Sequence, residues 1–81
     1  MEAILIDVKK EVQRAEMHGV EFNSMHEAYG VILEEVDELW EICKQKKRDR
    51  DPAKIRGELV QIAAMAIKGI QSIENFYGGK F

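Results

Sequence analysis

The stretch VILEEVDELWEI, Val31 to Ile42, decides the fold. It is mostly apolar and reads as a helix, yet it holds four acids in five positions, Glu34, Glu35, Asp37 and Glu38. Acids on a helix surface are ordinary, so helical phase settles whether these lie there. At about 100° per residue, with Glu35 at zero, Val31 and Ile42 fall just to one side and Ala28 and Leu39 just to the other. The apolar arc continues through Ile32, Cys43, Val36, Tyr29 and Trp40. Glu35 therefore lies inside the arc, Glu38 at its edge and Glu34 one step further out. Asp37, Glu41 and Lys44 take the solvent side.

Working outward, this helix opens at Ser24, with Glu27 three residues on as a capping-box signature. It is expected to run to about Lys47, its last turn KQKKR placing cations at the negative end of the helix dipole. A third helix starts at Asp51–Pro52, a cap followed by a proline suited to the first helical position. Its stripe is Ile55, Leu59, Ile62, Ala66, Ile70 and Ile73, and it ends near Tyr77. A first helix spans roughly residues 2–18, with Ile4, Leu5, Val8, Val12 and Ala15 on one stripe and Gly19 as its terminator. No alternation of the β type persists. The fold class is all-α, a single domain over residues 1–81, and the short link makes helices two and three antiparallel. Helices this long leave wide apolar faces uncovered in a single chain. Self-association into an oligomeric helical bundle, a homodimer or a dimer of dimers, is the expected remedy.

Composition narrows the function classes. With 46% hydrophobic and 33% charged residues, the chain is ordinary globular material. A net charge of −3 gives no general attraction to nucleic acid or to an anionic membrane. No apolar run approaches a membrane span, and the start MEAILIDVKKEV is wrong for a secretion signal. Cys43 is the one cysteine, which excludes an internal disulfide and fits a reducing compartment. A cytoplasmic location is expected.

The third helix repeats the arrangement of the second. Glu58 is flanked by Met65 on one side and by Ile62 and Gly69 on the other, with Gln61 about 60° away at the border. Glu35-x-x-Glu38 on one helix is thus matched by Glu58-x-x-Gln61 on the next. Counted from the middle of the link, the two pairs differ by only ~4–5 Å in height, so an antiparallel hairpin brings them to nearly one level. Inward carboxylates without partners are costly, and crowded like charges raise one another's pKa. A hard divalent cation such as Mg²⁺ compensates well, since it takes oxygen ligands and is often shared with substrate phosphates.

At these residues the sequence resembles the all-α nucleoside triphosphate pyrophosphohydrolases, the MazG-like and dimeric dUTPase-like superfamily. EEVDE, Glu34–Glu38, has the form Glu-Glu-x-x-Glu, and ELVQ, Glu58–Gln61, nearly has the form Glu-x-x-Asp. The likeness extends over residues 24–74, most closely to small single-domain bacterial and phage members. It implies a Mg²⁺-dependent hydrolase, with Mn²⁺ as a substitute, that cleaves a (d)NTP to the monophosphate and pyrophosphate in nucleotide-pool housekeeping. It implies Glu35, Glu38 and Glu58 as principal metal ligands, with Glu34 orienting a ligand or the attacking water. Glu34, Glu35 and Glu38 would be the catalytic acids. One departure is Gln61, where the pattern has Asp: its carbonyl can coordinate a cation but is neutral and cannot act as a base.

Lys68, on the same border as Gln61, is a candidate for a substrate phosphate. Trp40, with Tyr29, is a candidate for stacking on the base, including across a subunit interface, against the plainer reading of packing. The basic cluster KQKKRDR has no interleaved aromatics and reads as a solvated helix end, so nucleic acid is not an expected partner. The competing function class is a catalytically weak or inactive helical oligomerisation or nucleotide-binding module with a degenerate metal site at Gln61.

Overall fold

The structure, a computed structural model, describes residues 1–79. Three helices, α1 (Glu2–Met17), α2 (Met25–Cys43) and α3 (Pro52–Tyr77), are joined by short links, the second holding a single 3₁₀ turn at Lys47–Asp49. No strand occurs among the described residues.

Local chemistry sets each boundary. α1 stops because Gly19 takes a left-handed φ of 69°, which a side chain would resist. The amides of Gly19 and Val20 then donate to the carbonyls of Glu16 and Ala15, closing a Schellman turn. Ser24 caps α2, its hydroxyl accepting from the Glu27 amide at 3.1 Å. The Glu27 carboxylate reaches one residue beyond the capping-box position, accepting from the Asn23 amide and side chain. Asp51 caps α3 through the Ala53 amide at 2.9 Å, with Pro52 in the first turn as the sequence indicates.

The end of α2 differs from the sequence reading. The helix stops at Cys43, not near Lys47, and no cation lies in its last turn. The physical reason is that Lys44, Gln45, Lys46, Lys47 and Arg48 offer nothing apolar to hold another turn against α3. Instead the Arg50 guanidinium reaches back and donates to the carbonyls of Cys43 and Gln45. The Cys43 carbonyl is among the acceptors a helix end leaves unmet, and Gln45 lies in the link, so one arginine both closes α2 and turns the chain into α3.

α3 is the spine. α2 runs antiparallel to it, for the start of α2 (Asn23–His26) lies beside the end of α3 (Asn75–Tyr77). α1 is parallel to it: Asp7 pairs with Arg56 at 2.8 Å and Glu16 approaches Lys68 at 4.0 Å, both ascending together. The antiparallel expectation therefore holds for the hairpin and not for α1 against α3. The core lies between these helices: Val8, Val12, Ala15, Ala28, Ala64, Met65, and Phe22 from the first link. Phe22 anchors the link and went unnoticed in the helical pattern, being an apolar residue outside any periodic run.

The seams are closed by small and polar side chains. On α3 the buried residues are Ala64, Met65, Lys68, Gly69 and Ser72. Of the apolar stripe read on this helix, Leu59, Ala66 and Ile70 are exposed. On α1, Ile4 and Leu5 are exposed as well, and burial begins at Val8. The reason is spacing: the small positions let helices approach closely, and the bulky stripe lies round the side.

Packing predicts opposite outcomes at two small residues of α3. Ala64 is 0% exposed, so Ala64→Leu should lower the unfolding free energy by about 1–3 kcal/mol in urea titration. A Cβ added at Gly69 meets no atom within 4 Å. Gly69→Ala should therefore stabilise by about 1 kcal/mol, through helix propensity alone.

Candidate functional site

Two helices supply the site. Glu35 and Glu38 are one turn apart on α2, and Glu58 projects from the first third of α3 toward them. Each offers a carboxylate oxygen, and the three oxygens lie within 4.8 Å of one another. Glu35 and Glu58 are half-buried in the seam, and Glu38 is exposed at its rim. The level match inferred from residue counting is thus realised for these three acids.

The electrostatics are those of like charges forced together. Desolvation by the seam is the main cause raising Glu35 to about 7, helped by a hydrogen bond to Glu58 and the charges of Glu38 and Glu58. Glu38 is also raised above the ordinary carboxylate range, chiefly by its hydrogen bond and charge contact with Glu58. Those hydrogen bonds require a shared proton, because two carboxylates have no donor between them. Glu58 Oε2 is a buried oxygen with no hydrogen-bond partner. Among the described residues, the ion pairs run Glu11–Arg14, Glu41–Lys44, Asp49–Arg48, Asp7–Arg56 and Glu16–Lys68, and none reaches the three acids.

Beside the acids, α1 closes an open groove of about 420 Å³ lined by Glu11, Arg14 and His18, with Ala15, Val20, Val31, Gln61 and Met65. Val31 is one turn from Glu35, and Gln61 one turn from Glu58, so the groove adjoins the carboxylates. Gln61 stands in its wall. The α1 residues were not legible as site residues, because periodicity gives each helix its own faces but not which partner each face meets.

The other candidates lie elsewhere. Glu34 is exposed and acts on the cluster through its charge, adding to the raised pKa of Glu38. Lys68 is buried against α1 with Glu16, ten residues and ~15 Å along α3 from Glu58. Trp40 is 60% exposed and points about 200° round α2 from Glu38. Within one chain, neither Lys68 nor Trp40 is brought to the carboxylates. Cys43 is half-buried at the end of α2.

Oxygen-only donors, one of them buried and unpartnered, fit a hard divalent cation. The titration has a definite sign. A carboxyl whose folded pKa is raised favours the fold when protonated, and that contribution is lost as pH rises through the folded value. Without divalent cations, the melting temperature should therefore fall from about pH 5 to pH 7, most steeply between the ordinary carboxylate value and 7, and level off above pH 7. Carbon-13 NMR of the Glu35 carboxyl should give a midpoint near 7 that moves down in Glu58→Gln. Added Mg²⁺ should raise the melting temperature at pH 8, by about 2.7 kcal/mol of stability at 100 times the dissociation constant. Glu58→Gln should abolish that response.

No family model, curated protein or solved structure matches the chain.

Proposed function

We propose that this chain is a Mg²⁺-dependent nucleoside triphosphate pyrophosphohydrolase. The observation that carries the reading is the meeting of Glu35, Glu38 and Glu58 across the α2–α3 seam, with one carboxylate oxygen buried and unpartnered. A structural helix pair gains nothing from such crowding, whereas a cation site needs it. The motif likeness supplies the reaction class, and the groove beside the acids has room for the nucleoside end of a substrate.

Glu35, Glu38 and Glu58 would hold the cation, with the Gln61 side-chain carbonyl as an auxiliary ligand from the groove wall. When bound, Mg²⁺ supplies charge neutralisation at the phosphate oxygens. The protein's own acids do the rest. The oxygen of a water forms a bond to phosphorus as the phosphoanhydride to the pyrophosphate group breaks. The water's proton passes to an exposed carboxylate at the rim, for which Glu34 is placed on the turn of Glu38. The products are the nucleoside monophosphate and pyrophosphate.

Gln61 favours a second reading, a weak or inactive binding module. It leaves the site one negative charge short of the motif, its neutral amide standing in the groove wall. One experiment separates the two. Incubation with a panel of NTPs and dNTPs should release equal amounts of monophosphate and pyrophosphate with Mg²⁺ and none with EDTA. Glu38→Gln should lower the rate by ~100-fold or more, and Gln61→Asp should increase it at limiting Mg²⁺. No turnover by wild type or by Gln61→Asp on any nucleotide would leave the module as the function.

A further inference from the structure

Glu11 is the least exposed acid of α1. It lies at the border of the stripe that Val8, Val12 and Ala15 bury, and its side chain is 21% exposed. A carboxylate so far withdrawn from water needs hydrogen-bond donors. Among the described residues it has none: its charged contact is the Arg14 guanidinium at 3.8 Å, beyond hydrogen-bonding reach. Arg14 offsets the charge and leaves the lone pairs of the carboxylate open. Glu11 lines the groove beside the three site acids. The register of α1 fixes where along that groove it stands. α3 numbers lead α1 numbers by 49 at the Asp7–Arg56 pair and by 52 at the Glu16–Lys68 pair. Between those pairs, Glu11 is level with Gln61, which is ~4.5 Å beyond Glu58 along α3. The apolar lining of Ala15, Val20 and Met65 lies further still from the acids.

We propose that Glu11 reads the sugar of the substrate, its two oxygens accepting from the 2′- and 3′-hydroxyls, so that the site favours ribonucleoside over deoxyribonucleoside triphosphates. The inference rests on the hydrolase reading for one point, that the phosphates lie at Glu35, Glu38 and Glu58. From there the order of a nucleotide is fixed: phosphate, sugar, base. The sugar comes to the level one turn from the acids, and the base reaches the apolar lining beyond. At the sugar's level the groove offers Glu11, which when ionised is an acceptor only, and the neutral amide of Gln61. An ionised carboxylate repels phosphate oxygens and base carbonyls, but it takes hydroxyl donors in strong hydrogen bonds. Acidic side chains meet ribose hydroxyls in this way in dinucleotide-binding folds. The cis-diol of ribose presents two donors side by side, matching the two oxygens of one carboxylate, and deoxyribose presents one.

The test compares each ribonucleotide with its deoxy partner, ATP with dATP and CTP with dCTP, in Mg²⁺. Wild-type kcat/KM should favour the ribonucleotide by ~10-fold or more, the worth of one hydrogen bond to a charged group. Glu11→Met removes both acceptors and keeps an unbranched stem. It should bring the ratio close to one, mainly by loss on the ribonucleotides. Glu11→Gln keeps one carbonyl acceptor and should fall between. A residue serving only the packing of α1 would lower both sugars alike, and melting curves show whether each variant folds. Titration calorimetry of AMP and dAMP with Mg²⁺ makes the same comparison without turnover. A protein that prefers AMP through Glu11 yet hydrolyses nothing keeps the sugar site and loses the hydrolase reading. Turnover with no preference between the sugars in the wild type overturns the sugar site and keeps the hydrolase, whatever the variants do. So does a preference that Glu11→Met leaves unchanged. Neither turnover nor binding of either nucleotide overturns both.

Discussion

A helix has room around its circumference for three neighbours, and α3 has two. Everything else in the molecule follows from how that one helix is shared. α1 takes one arc through Val8, Val12 and Ala15, α2 takes another through Ala28 and its half-buried neighbours, and the third arc stays apolar and open. The close approaches are made by Ala64, Gly69 and Ser72, which bury little area each. No large side chain is fully buried among the described residues. A chain this short buries a modest share of its surface, and here its bulkiest apolar groups are left in water.

The acids sit at the join of the two arrangements. Apolar contacts along α2 and α3 hold the seam shut, and the seam in turn holds Glu35 and Glu58 where neither is well solvated. The two forces oppose each other: each turn of packing that tightens the hairpin raises the cost of ionising its carboxylates. A proton shared within the cluster relieves that cost at low pH, and a divalent cation bound there would relieve it at neutral pH. The same crowding that burdens the fold is what makes a concentrated set of oxygen donors.

Much of this was legible in the sequence, and the failures have identifiable causes. Capping residues Ser24 and Asp51, the terminator Gly19 and the inward phase of Glu35 and Glu58 are local signals, fixed within a few residues, and each proves correct in place. The end of α2 was misplaced because helical propensity in KQKKR outweighs nothing once there is no apolar partner to dock against. The stripe through Leu59, Ala66 and Ile70 is legible as an apolar face, but periodicity finds a face without finding what covers it. For the same reason the groove wall from α1 could not be foreseen: Arg14 and His18 have no marking until the parallel packing of α1 on α3 is known.

That parallel packing separates the molecule into parts of unequal standing. α2 and α3 meet across a link of a few residues, so little chain entropy opposes their closure. α1 skips its sequence neighbour and docks on α3, where Asp7 meets Arg56 across more than half the chain. Its contacts span the longer sequence separations, so more chain entropy opposes their closure. Since α1 carries one whole wall of the groove, the pocket beside the acids exists only while α1 stays docked on α3. Undocking α1 would erase the groove, although none of the three carboxylates stands on α1.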